Sequence, residues 1–277
     1  MDSIIKISGG IGNQLFQYSF ALFLKNHLHR NVQLNRASYR KKFEHEGFLL
    51  DQILKLEVNL IDRDYQSFHW DKFIWKTSQI TENQQTHPLN FLKEPIQSFP
   101  RKTRLLLEGY WQCYLFPFLA KHDLRHIDLP AVQMEQFQSK TFIHIRGGDY
   151  FNNPIYSEFY DIIAEEYYEK SIAEVLEKEP NREFVLFTDD LDYARRRLGA
   201  HMSRVSVDQT QGSLEVLAKM RACSGAIMAN SSFSWWGAFL QENKGTQIAP
   251  KKWTPKMEAE SIHLSSLHRS LLKSAKK

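Results

Sequence analysis

Cysteine is scarce in this chain of 277 residues. Cys113 and Cys223 stand alone, too few and too far apart for a disulfide framework or a metal-ligand spacing. That scarcity fits a reducing compartment, and a cytoplasmic protein is the expectation. Long apolar runs are missing too. No stretch approaches the roughly 20 apolar residues that a bilayer-spanning helix needs. Ile4, Ile5 and Ile7 are too brief for the apolar core of a secretory leader. Charge of one sign is almost balanced: 36 Lys and Arg against 32 Asp and Glu leave +4, which excludes the basic footprint of a nucleic-acid binder. The small excess is compatible with an anionic small ligand or a weak association with anionic lipid. Repeats and low-complexity tracts are lacking as well. The 42% hydrophobic and 13% aromatic residues suffice for one large domain or two of ordinary size.

The stretch TFIHIRGGDY, Thr141 to Tyr150, carries the most chemistry per residue. Phe142, Ile143 and Ile145 predict a buried strand that opens into a tight glycine loop. In an open α/β sheet, ligands bind beyond the carboxyl ends of the strands. His144 and Arg146 share one face of that strand by its two-residue period. The Arg146 guanidinium can meet a diphosphate with paired hydrogen bonds. Gly147 and Gly148 let a ligand approach the backbone closely, and Asp149 is placed as a base. The competing reading is a core histidine, an Arg–Asp surface pair and a glycine turn.

Taken in order, Ile4 to Ser8 predicts a strand, Gly9, Gly10 and Gly12 a turn, and a helix begins near Asn13. That helix is apolar nearly all round and therefore buried. The glycine spacing falls short of a dinucleotide fingerprint. Asn13 and Gln14 sit at the helix start, where free N–H groups favour negative charge; Asn13 reads equally as an N-cap or a ligand contact. Asn31 to Asn35 is a second strand. Arg36 to about Arg104 reads as irregular helices and loops. Leu105 to Leu107 resumes a strand before Glu108-Gly109-Tyr110-Trp111-Gln112, where aromatics beside an amide suit sugar recognition or packing. The Pro- and Gln-containing segment from Leu129 to Ser139 separates two domains, 1–135 and 136–277.

The second half predicts strands at Thr141–Arg146, Glu183–Thr188, Gly225–Ala229 and Gln247–Ala249. Helices are expected from Ser157 to about Lys178 and from Ser213 to about Ala222. Three strands end in polar clusters: His144, Arg146 and Asp149; Thr188, Asp189 and Asp190; Asn230, Ser231, Ser232 and Ser234. In a parallel sheet these ends share one edge, and together they suit a nucleotide diphosphate. Asp62-Arg63-Asp64 and Asp190-Leu191-Asp192 have carboxylates two apart, which could hold a divalent cation but read more simply as turns. At the C-terminus, Leu267, Leu271 and Leu272 with Lys273, Lys276 and Lys277 read as a solvated amphipathic end.

These motifs resemble glycosyltransferase family 11, the bacterial α-1,2-fucosyltransferases. The resemblance runs through SGGIGNQLFQYSFAL (Ser8 to Leu22), EGYWQ (Glu108 to Gln112), HIRGGDY (His144 to Tyr150), FTDD (Phe187 to Asp190), ANSSFSWWGAFL (Ala229 to Leu240) and IAPKKW (Ile248 to Trp253). One departure stands out: the family usually has two arginines before the glycine-aspartate, and here Gly147 takes the place of the second. The resemblance implies an α/β, GT-B-like architecture of two Rossmann-like domains facing a central cleft, the first on the acceptor side and the second binding GDP-fucose. It implies transfer of L-fucose, with inversion, to the 2-hydroxyl of a terminal β-galactoside in a surface glycan such as O-antigen. No cofactor or essential metal is implied.

The residues implied for the nucleotide sugar are His144, Arg146, Thr188, Asp189 and Asp190, then Asn230, Ser231, Ser232 and Phe233. Glu215, on the preceding helix, joins them, and Gly10, Gly12, Asn13 and Gln14 lie toward the diphosphate. Arg146 and Asp149 are the catalytic pair. Expected partners are GDP-fucose and a β-galactoside glycan, not nucleic acid. Peripheral contact with the inner membrane through a lipid-linked acceptor stays open, as do another fucosyl linkage (α-1,6 or O-fucose) and a non-catalytic nucleotide-sugar-binding or glycan-binding relative.

Overall fold

The computed structural model describes residues 2–41, 46–64, 77–82, 103–124, 126–147, 163, 166–254 and 257–258. The chain divides into two compact units, passing from the first to the second between Asp128 and Leu129. The expected boundary at 135/136 sits a little later. Phe137 and Val132 pack with Phe142, Val185 and Met220 in the second unit's core, which draws the connecting segment into that unit.

The first unit holds a five-stranded parallel sheet: β1 (Asp2–Lys6), β2 (Asn31–Asn35), β3 (Asn59–Ile61), β4 (Thr77–Thr81) and β5 (Arg104–Glu108), in the spatial order β3-β2-β1-β5-β4. Helix α1 (Ile11–Asn26) follows β1. Twelve of its sixteen residues are buried, as its all-round apolar sequence requires. It starts at Ile11, with Gly10 as N-cap, so Asn13 lies inside the first turn and does not cap it. β3 and β4 fall in the region expected to be irregular. Both lie at sheet edges, β3 is only three residues long and β4 is mostly polar, so neither carries the apolar pattern that marks a strand.

The second unit is also built on five parallel strands, with the last two in the opposite order. Its parallel sheet contains β6 (Lys140–Ile145), β7 (Glu183–Thr188), β8 (Val205–Val207), β9 (Gly225–Ile227) and β10 (Gln247–Ile248), in the order β10-β9-β6-β7-β8. Numbered from β6, that is the doubly wound order 3-2-1-4-5. Described helices of eight or more residues here are α2 (Tyr167–Lys178), α3 (Leu191–Leu198), α4 (Ser213–Ala222) and α5 (Ser232–Phe239). The start expected for α2 at Ser157 and the C-terminal Leu/Lys segment lie outside the described residues. Ile143, Ile145 and Leu186 pack under α2 and α3; Phe142 and Val185 pack on the other face with Met220 and Ala238. That sorting follows the alternation of neighbouring strand residues between the two faces. Among the described residues, no helix is long and apolar enough to cross a membrane.

Candidate active site

In a doubly wound sheet, ligands lie beyond the strand ends where the winding direction reverses. In the second unit that point falls between β6 and β9, neighbours in space but separated in sequence by β7 and β8. The segments leaving these strands carry His144-Ile145-Arg146-Gly147 and Ala229-Asn230-Ser231-Ser232-Phe233.

His144 is buried, at 7% exposure. Its backbone carbonyl accepts a hydrogen bond from the Tyr168 hydroxyl (3.1 Å), and its ring meets that of Phe233 with centroids 5.8 Å apart. Its Nδ1 is buried with no hydrogen-bond partner in the structure. A buried, unsatisfied ring nitrogen costs free energy that a bound donor or acceptor recovers. Burial, helped by the neighbouring Arg146 charge, lowers the imidazole pKa to about 3, so the ring is neutral at physiological pH.

Arg146 follows on the same strand face. Its Nε lies 3.7 Å from Asp189 Oδ2, and the Gly147 N–H donates to Asp189 Oδ1 at 2.7 Å. Asp189, just after β7, thus holds both the guanidinium and the loop after it. Asp190 starts the next helix. Its carboxylate caps α3, accepting from Tyr193 N (2.9 Å), and its backbone N–H donates to Thr188 Oγ1 (3.1 Å). Thr188 and Asp190 therefore finish the β7–α3 turn. Asp149 lies outside the described residues.

Ser231 caps α5, its Oγ accepting from Phe233 N at 3.3 Å. Ser234 Oγ donates to Ala229 O and Ser231 O, which tightens the same turn. Asn230 is buried, with Nδ2 3.5 Å from Trp253 O, and Ser232 is half-buried. Glu215 is exposed in the first turn of α4, whose N-cap is Gly212; Ser213, expected to cap, is the first helical residue.

The first unit's loops are arranged differently. Gly9 is left-handed (φ +79°), and a Cβ there would come within 2.6 Å of Asn13 Nδ2. Its carbonyl accepts from Tyr39 Oη (2.6 Å) and Gln14 Nε2 (3.0 Å). Gly10 is extended, and Gly12 is buried in the first turn of α1. Asn13 Oδ1 accepts from Gln112 Nε2 at 2.8 Å. Gln14 is fully buried. Nε2 also donates to Gly47 O (2.8 Å), and Oε1 accepts from Leu49 N (2.9 Å). Its amide is committed to backbone, which corrects its placement against the ligand.

Some residues escaped the sequence reading. Tyr193 on α3 stands where a side chain at position 147 would go: a Cβ on Gly147 would lie 2.6 Å from the Tyr193 ring. At the end of β8, Asp208 pairs with Lys219 (2.7 Å), mostly shielded from water. Burial opposes ionisation of Asp208, but Lys219 and Thr210 outweigh it and hold the carboxyl below its ordinary value. A separation of eleven residues between Asp208 and Lys219 gave no periodic signal. Asp62 is engaged by Arg36 and Arg40, and Asp192, in the first turn of α3, pairs with Arg195.

Two doubly wound α/β units, with a cation and helix-capping hydroxyls at the strand ends of the second, define a GT-B-like glycosyltransferase fold. The Bradyrhizobium fucosyltransferase NodZ shares it: the structure described as an α-1,6-fucosyltransferase soaked with GDP-fucose matches with a TM-score of 0.51 at 13% identity, over 87% of this chain and 92% of that one. The chain belongs to glycosyl transferase family 11, whose model matches residues 4–266. Among characterised relatives, an α-1,2-colitosyltransferase of Escherichia coli is 27% identical, with 94% of each chain covered. The O-antigen biosynthesis glycosyltransferase WbnK of Escherichia coli is also 27% identical, over 89% of this chain and 93% of its own.

Proposed function

We propose that this enzyme transfers L-fucose from GDP-fucose to the 2-hydroxyl of a terminal β-galactoside, with inversion and without an essential metal. The observation that carries the reading is the buried, partnerless Nδ1 of His144, beside Arg146 and Phe233 at the switch point of the second sheet. A polar nitrogen kept dry there suits a hydrogen bond to the nucleotide. Family membership and the α-1,2 linkage in the colitosyltransferase's name support the linkage. The O-antigen relative supports an acceptor in a bacterial surface glycan, reached in the cytoplasm and, when lipid-linked, at the inner membrane.

The step is a single displacement. The galactose 2-oxygen forms a bond to the fucose anomeric carbon from the face opposite GDP. The bond from that carbon to the phosphate oxygen breaks, and its electron pair leaves with the diphosphate. Arg146, held by Asp189, and the N-terminus of α5 stabilise the charge that develops there. Asp149 takes the proton of the attacking hydroxyl. A second reading keeps the reaction and changes the sugar: colitose, which is fucose without its 3-hydroxyl, is the sugar in the name of the α-1,2 relative.

GDP release, followed with lactose as acceptor and each GDP-sugar in turn, with and without EDTA, tests both readings. Acceptor-dependent release from GDP-fucose that survives EDTA, with an α-1,2 product by NMR, is the expected result. Faster release from the colitose donor selects the second reading. GDP binding without transfer to any β-galactoside overturns both and leaves a nucleotide-binding relative.

A further inference from the structure

We propose that Glu82 is a positioning residue for the acceptor sugar, acting through the Gly109–Gln112 turn. The inference rests on the galactoside-directed reading above. Glu82 directly follows β4, and its N–H donates to Glu108 O at 2.7 Å, extending the β4–β5 ladder by one bond. Its carboxylate Oε2 accepts from two successive backbone groups, Tyr110 N (2.7 Å) and Trp111 N (2.8 Å). Successive N–H groups converging on one oxygen form an anion-binding concavity, and here the protein's own carboxylate fills it.

The turn is shaped around that carboxylate. Gly109 has φ +157°, and a Cβ on it would run into the Glu82 side chain. Trp111 takes a left-handed conformation (φ +54°) that a bulky residue adopts only when its surroundings impose it. Trp111 is almost fully buried, stacked on Phe20 with ring centroids 4.4 Å apart. With Trp111 fixed from below and the backbone fixed by Glu82, Tyr110 and Gln112 are held half-buried at the carboxyl edge of the sheet. An aromatic face beside an amide suits a sugar's C–H face and its hydroxyls. Burial raises the Glu82 pKa against the opposing pull of the two N–H groups. A carboxylate kept there at such a cost, shaping the turn that carries Tyr110 and Gln112, is placed for more than folding.

The test compares Glu82→Ala with Glu82→Gln in the full chain. The amide oxygen of Gln can still accept from both N–H groups, whereas Ala leaves them empty. Initial rates with lactose varied at saturating GDP-fucose give the acceptor KM, calorimetry gives the GDP Kd, and saturation-transfer NMR reads lactose binding without turnover. Glu82→Ala is expected to raise the lactose KM at least tenfold while the GDP Kd stays within twofold, and Glu82→Gln to recover most of the loss. An unchanged lactose KM in Glu82→Ala overturns the proposal and leaves a purely structural carboxylate. Equal damage in both variants also overturns it, because charge and not turn geometry would then matter. A wild-type chain that binds GDP but neither binds lactose nor transfers to it overturns the galactoside-directed reading, and this proposal with it, whereas an unchanged KM in Glu82→Ala overturns the proposal alone. A wild-type chain that fails to bind GDP overturns the reading beneath it.

Discussion

At the carboxyl edge of the first sheet the protein's own side chains occupy the loop backbone; at that of the second, a buried imidazole nitrogen has no partner. Around the glycine turn, the Gly9 carbonyl is taken by Tyr39 and Gln14, Ser8 N by Gln17 Oε1, and Gly109 O by Gln17 Nε2. The loops after β1 and β5 are thereby stitched together from within. Around His144 the ring of Phe233 packs at 5.8 Å, and polarity is concentrated in Arg146 and the capped start of α5. Sheets of related strand order can therefore end in loops braced from within or in an edge that keeps a buried polar atom unsatisfied. Which one forms depends on whether the strand-end polar groups are satisfied internally.

That contrast breaks if substitutions on the two edges have the same kind of effect. The largest effect is expected from Arg146→Ala, which removes the cation we propose faces the leaving diphosphate. A fall in kcat of about 100-fold to 1000-fold is expected, with little change in thermal midpoint. Near-normal turnover would remove Arg146 from the chemistry. Next is Gln14→Leu on the first edge. It strands the Gly47 carbonyl and the Leu49 N–H, so a stability loss of about 2–4 kcal/mol by urea denaturation is expected. GDP affinity should not change. Weaker GDP binding without loss of stability would place Gln14 at the ligand after all.

Gly147→Arg should collide with the Tyr193 ring and cost about 1–3 kcal/mol of stability along with activity. Adding Tyr193→Ala should recover part of both; failure to recover either would show that position 147 is not limited by that ring. The smallest effect concerns pH. Folded His144 stays neutral down to about pH 3, whereas in the unfolded chain it takes up a proton near 6.5. The unfolded state binds more protons between those values. The stability from keeping His144 neutral is thus present above about pH 6.5 and is lost as pH falls toward 3. His144→Gln should flatten that slope in denaturation measured across the acid range.

The sequence reading located the central strands well because these are apolar runs closed by glycine or polar residues: Phe142 to Ile145, Phe184 to Phe187 and Ala226 to Ile227 are all core. β3, β4 and β8 were not legible, being short edge strands with polar residues such as Ser78, Gln79 and Ser206. At the site, the pairing of His144 with Arg146 follows from strand period alone. The division of labour among polar residues does not. Asp189 and Asp190 are neighbours of one type, yet one holds Arg146 and Gly147 while the other caps a helix. Gln14 looks like a ligand contact until its partners 33 and 35 residues away are placed. Such contacts depend on tertiary geometry, which local pattern does not encode.

The spatial order of the first sheet also governs how the chain can be made. β5 lies between β1 and β4, so β4, at Thr77–Thr81, pairs with a strand that follows it in sequence. As the chain leaves the ribosome from its N-terminus, β1, β2 and β3 can pair in turn, but β4 has no neighbour until Glu108 has emerged. Closing the gap requires Ser3 to find Leu105, a long-range search of the sort that slows folding. The bond between Glu82 N and Glu108 O continues the β4–β5 pairing, so it and the Gly109–Gln112 turn that Glu82 holds can form only after translation has passed β5.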